Sequence, residues 1–107
     1  METWNDEIAA ELLRAQQAMK EHNNGRLRTC ARRMAGIALM QHYTQSKDFV
    51  ALLRLAMYDT GVPEEVRLAA ERLQSRLRPD FSSASTDPLG DALTVVEFVR
   101  RITGTTS

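Results

Sequence analysis

The sequence predicts an all-α fold: a five-helix antiparallel bundle built from two helical hairpins plus a C-terminal helix. Apolar residues recur at spacings of three and four in five separate stretches. Asn, Gly, Pro and Ser punctuate the gaps between those stretches. The one strongly β-prone pair, Val95-Val96, has no partner strand to join.

The first helix is expected over about Trp4 to His22. Trp4, Ile8, Leu12, Ala15 and Met19 fall on one face, and Asp6, Glu7 and Glu11 lie where the helix dipole favours negative charge. Asn23-Asn24-Gly25 reads as a turn, because these residues tolerate positive φ. The second helix is expected over Arg26 to Tyr43, burying Leu27, Cys30, Ala31, Met34, Ile37 and Ala38. Its small residues, Ala31, Ala35, Gly36 and Ala38, leave it thin enough for a neighbour to approach closely. The third helix, Lys47 to Asp59 with Ser46 as N-cap and Gly61 as left-handed terminator, is apolar on most sides and is expected to be central.

A fourth helix starts at Pro63, with Glu64 and Glu65 in its first turn and a stripe of Val66, Ala69, Ala70, Leu73 and Leu77. Pro79 blocks its continuation, and residues 79–88 form a loop anchored by Phe81. Asp87 caps the fifth helix and Pro88 opens it. Leu89, Ala92, Val95, Val96, Val99 and Ile102 form its stripe, and Gly104 ends it before a frayed 104–107.

A length of 107 residues fits one helical domain, 1–107, large enough to fold without metals or disulfides. Fourteen basic and fourteen acidic residues cancel, which argues against bulk attraction to nucleic acid or membrane. A single cysteine excludes an intrachain disulfide and fits a reducing compartment. With no bilayer-length apolar run and an acidic, non-apolar beginning, the expected location is cytoplasmic, without membrane contact.

Arg26, Arg28, Arg32 and Arg33 crowd into the second helix, with no acid between Asn23 and Gln41. They are the candidate binding residues for phosphate or nucleic acid. The helical wheel splits them, however, with Arg28 and Arg32 on one edge of the apolar face and Arg26 and Arg33 on the other. Flanking arginines of this kind cover a core with their stems and meet acids on neighbouring helices. Ala35, Leu39 and Tyr43 form a second apolar strip and are the candidate interface.

His22 and His42 should lie about 25–30 Å apart at opposite ends of the first hairpin, with His42 near Asp6. No metal-ligand spacing, nucleophile elbow or phosphate loop occurs, so no catalytic residue, metal ligand or cofactor is assigned. Cys30 falls on the core arc and reads as a small buried hydrophobe.

Two resemblances follow. Arg28, Ala31, Arg33 and Met34 repeat as Arg67, Ala70, Arg72 and Leu73 at an offset of 39 residues. That offset is close to the HEAT period, and Val66-Arg67-Leu68-Ala69-Ala70-Glu71-Arg72-Leu73, preceded by Leu52-Leu53 and Asp59, resembles the hairpin of a HEAT-type repeat over 49–77. The segment from Gly25 to Ala38 resembles a stretch in small bacterial helical proteins that look loosely like HEPN domains, bundles that often dimerise. HEPN ribonucleases carry an Arg four to six residues before a His, which neither His22 nor His42 has. Together these readings favour a non-catalytic helical interaction module that binds a protein partner or itself. Nucleic-acid or phosphate binding through 26–33 is the alternative, and a degenerate HEPN-like ribonuclease using Arg33 and His42 is a third.

Overall fold

The computed structural model describes residues 3–75 and 84–104. Five helices follow in order: α1 (Trp4–Lys20), α2 (Asn24–Leu39), α3 (Phe49–Tyr58), α4 (Glu64–Gln74) and α5 (Pro88–Thr103). No strand occurs among the described residues, and no helix is long and apolar enough to cross a membrane. The expected roles of Leu77, Pro79 and Phe81, and fraying over 105–107, lie outside the described residues.

Local chemistry sets the helix ends. Thr3 and Asp6 form a reciprocal capping box at the start of α1. Its other end is a Schellman turn: Asn23 N–H reaches Ala18 O at 2.8 Å and His22 N–H reaches Met19 O at 3.1 Å. The left-handed residue is therefore His22 (φ 55°), and not one of the Asn-Asn-Gly run. Asn23 is instead engaged as the cap of α2, its Oδ1 accepting from Arg26 N–H at 3.0 Å, so Asn24 and Gly25 are already helical.

Asp48 takes the cap expected of Ser46, accepting from Val50 N–H at 2.9 Å, while Ser46 Oγ accepts from Asp48 N–H. Asp59 ends α3 in extended backbone, and Gly61 is not left-handed. Around α5 the expected signals hold: Asp87 caps, Pro88 opens and Gly104 (φ 71°) closes.

The central helix is α2, not α3. It packs against all four others, whereas α3 leaves Arg54 and Tyr58 exposed. Ala31, Ala35 and Ala38 are fully buried, and Gly36 lies against Phe49. Small side chains along α2 let several helices reach its backbone at once.

α1 packs antiparallel on α2, with Arg26 near Glu21 at the turn and Arg33 near Glu11 further along. α5 returns alongside α2 in the same direction. Leu89 at its start packs with Leu27 and Cys30, and Phe98 near its end faces His42 across 6.2 Å. α4 runs antiparallel to α5, joined by Arg72 and Asp91. The two sequence-similar segments fall on α2 and α4, and both bury their Ala and apolar positions: Ala31, Met34, Ala70 and Leu73.

Two stripes differ from expectation. In α1 the buried residues are Ile8, Glu11, Ala15 and Ala18, with Met19 exposed. The tight turn brings the start of α2 so close that the small Ala18 must face it, which turns Met19 outward. In α5 Phe98 is buried and Ile102 exposed, because the Phe98 ring occupies the space beside His42.

Gly36 and His22 yield opposite stability predictions. In an open helix Gly→Ala would add about 1 kcal/mol. At position 36 an added Cβ would fall within 2.8 Å of Phe49 Cβ, so Gly36→Ala is expected to destabilise by about 1–2 kcal/mol in urea unfolding. His22→Gly removes a left-handed L-residue and is expected to stabilise by about 0.5–1 kcal/mol in the same assay.

Candidate functional site

The four arginines of the basic run diverge, and three have partners within the chain. Arg26 Nη1 lies 3.8 Å from Glu21, and Arg33 Nη1 lies 3.9 Å from Glu11, both on α1. Arg32 turns the other way. Its Nε donates to Leu73 O at 2.6 Å and its Nη2 to Ser75 O at 3.0 Å, capping the C-terminal end of α4. Burial, then the nearby charge of Arg28, pull the Arg32 guanidinium below its usual range. Arg28 alone has neither a hydrogen bond nor an ion pair among the described residues. No convergent cationic groove is formed.

Glu11 is the most buried carboxylate, at 6% exposure. Oε1 accepts from Arg14 at 2.8 Å and faces Arg33, while Oε2 has no hydrogen-bond partner among the described residues. Arg14, one turn along α1, and Arg33 from α2 compensate its charge. Cys30 beside it is 2% exposed, as its place on the core arc implies. Burial, then the Glu11 charge, push the thiol up, which keeps it protonated and unreactive.

The second apolar strip is internal. Ala35 and Leu39 are fully buried in the core and Tyr43 nearly so, so these three residues are not an outer face. His42 does not reach Asp6 either. The last turn of α2 tightens, with Gln41 N–H to Ala38 O and His42 N–H to Leu39 O at 3.0 Å. This places the imidazole against Tyr43 (4.6 Å between ring centroids) and Phe98, on the side of Asp59. Arg33 and His42 thus meet different neighbours and form no shared centre. Among the described residues, no group of three or more His, Cys, Asp or Glu gathers to hold a metal ion.

Two polar clusters escaped the sequence reading. Arg72 grips Asp91 with two hydrogen bonds of 3.1 and 2.7 Å, and Ser85 Oγ donates to the same carboxylate at 2.6 Å. This cluster joins α4, the approach to α5 and α5 itself. In the second, Tyr43 O–H donates to Asp59 Oδ2 at 2.6 Å while Gly61 N–H donates to Oδ1 at 2.9 Å. Only residues distant in sequence reveal either cluster, so no local spacing announces them.

Open clefts flank these elements. One, of about 650 Å³, runs along α3 and is lined by Tyr43, Ala51, Arg54, Leu55, Tyr58 and Asp59 among others. Another, of about 480 Å³, follows the α1–α2 seam between Ala10, Arg14, Ile37, Met40 and Phe49, with Asp6 and Glu7 at its rim. Compared with known proteins, the chain matches no family model, no curated protein and no solved structure.

The Tyr43–Asp59 pair should titrate at both extremes. The Tyr43 hydrogen bond, then that of Gly61, hold the Asp59 carboxyl below its ordinary value of 3.8, while burial, then the Asp59 bond, raise the Tyr43 phenol. A depressed acid contributes stability above about pH 4 and loses it as pH falls through the folded value. A raised phenol contributes stability below about pH 10 and loses it as pH climbs further. Tyr43→Phe is therefore expected to flatten both the acid and the alkaline limbs of the urea midpoint plotted against pH. Unchanged slopes would contradict this account.

Proposed function

We propose that the chain is a non-catalytic helical interaction module that associates with a second copy of itself through the outer face of α1. One observation carries this reading. Leu13 is 68% exposed beside a seam where Ala10, Ile37, Met40 and Phe49 are only partly covered. Opposite charges bracket that patch, with Asp6 and Glu7 at one end and Arg14 at the other.

Such a patch complements itself. A two-fold axis through Ala10 would lay the two α1 helices antiparallel, four residues or about 6 Å on either side of the axis. Arg14 of each copy would then stand opposite Asp6 of the other, with Leu13 packing beside the small Ala10. Zero net charge removes any bulk repulsion between copies. The dispersal of Arg26, Arg32 and Arg33 onto internal partners argues for this reading over nucleic-acid binding.

Sedimentation velocity over roughly 5–200 µM tests it. The expected result is a mass that climbs with concentration toward twice the 12.1 kDa of the chain. Leu13→Glu should abolish the climb, Arg14→Glu should weaken it, and adding Asp6→Arg to Arg14→Glu should restore it. A constant 12.1 kDa species throughout would overturn the proposal.

A further inference from the structure

We propose that the cleft along α3 binds a small aromatic carboxylate. This inference is independent of self-association through α1, because none of the residues that carry it belongs to the α1 face.

The cleft measures about 650 Å³, within the range of small-molecule sites. Ala51, Leu55 and Tyr58 follow one another at helical spacing on α3, and the nearly buried Tyr43 closes the back of the cleft. The Tyr58 ring is 77% exposed, the most open large apolar side chain among the described residues. Tyrosine rings present wide, rigid faces on which a flat ligand stacks in offset or edge-on geometry.

Charge selects the rest of the ligand. Two ionised groups line the cleft, Arg54 and Asp59. Asp59 has each oxygen engaged, one by Tyr43 O–H and one by Gly61 N–H. Arg54 uses only Nε, which donates to Gln74 Oε1 at 3.2 Å. That bond holds the guanidinium plane, while both Nη groups have no hydrogen-bond partner among the described residues. The open hydrogen-bonding capacity therefore lies on Arg54, whose free end is a fork matched to a carboxylate, while the Asp59 charge restricts the ligand to a single negative group. A phosphate dianion would set a second charge against the apolar floor and Asp59, which one guanidinium cannot offset. A carboxylate on an aromatic ring satisfies both the Arg54 fork and the open Tyr58 face.

The test is a heteronuclear NMR titration of the full chain with phenylacetate, run in the Leu13→Glu background so that self-association does not contribute. Saturable shifts are expected at Ala51, Leu55 and Tyr58, with a Kd in the millimolar range or below. Acetate and benzyl alcohol, which each lack one half of the recognition, should bind about tenfold more weakly or worse. Arg54→Gln should weaken phenylacetate about tenfold yet leave benzyl alcohol unchanged, and Arg54→Lys should recover part of the loss. Because Arg54 is exposed, these variants should keep the helical circular dichroism of the parent. Absence of saturable shifts, shifts confined to another surface, or equal affinity for benzyl alcohol would overturn the proposal.

Discussion

The architecture depends on how closely other helices approach the backbone of α2. Ala31, Ala35, Gly36 and Ala38 occupy positions where longer side chains would hold neighbours at ordinary interhelical distance. With them small, one helix serves as the axis for four. The volume they leave is filled from outside by Phe49, Leu52, Val95, Val99 and Phe98. Close packing of this kind tolerates little added volume, so the thin helix both permits the fold and constrains it.

Charged groups secure the periphery of that arrangement. Arg32 satisfies carbonyls that the end of α4 would otherwise leave bare, and Arg72 locks α4 to α5 through Asp91. Hydrogen bonds to charged groups contribute about 1.5–3 kcal/mol each, more than neutral ones. Much of the positive charge that looks available in the linear sequence is thus committed to joining helices. Among the described residues, Lys20, Arg28, Lys47, Arg67 and Arg101 have no hydrogen bond or ion pair from their side chains, and the end of Arg54 and the outer edge of Arg14 stay open as well. These cations are spread over α1, α2, α3, α4, α5 and the stretch before α3 rather than gathered on one face.

Features fixed by neighbours in sequence were legible. The caps of α5, the end of α1 near the Asn run, the breadth of the apolar face of α2 and the burial of Cys30 all follow from residues within a few positions of one another. Features fixed by distant residues were not. The strip of Ala35, Leu39 and Tyr43 looked like an outer face because a wheel shows only that a second side is apolar, not what covers it. A helix continued through Tyr43 would carry His42 toward Asp6; the tightened turn after Leu39 directs it to Tyr43 and Phe98 instead. Glu11 reads in sequence as a dipole-stabilising acid; Arg14 one turn along and Arg33 arriving from α2 together make its burial tolerable. For the two clefts, their polar members could be read as residues, but their convergence could not.

Arg100 donates to Asn5 across 95 positions, and α5 lines α2 along much of its length. During synthesis, then, the first four helices emerge before the segment that shields them. Until α5 clears the ribosome, the sides of α2 and α4 that it covers have no lid against water or against other nascent chains. The interval between the emergence of α4 and that of α5 is thus the one most open to chaperones and to aggregation.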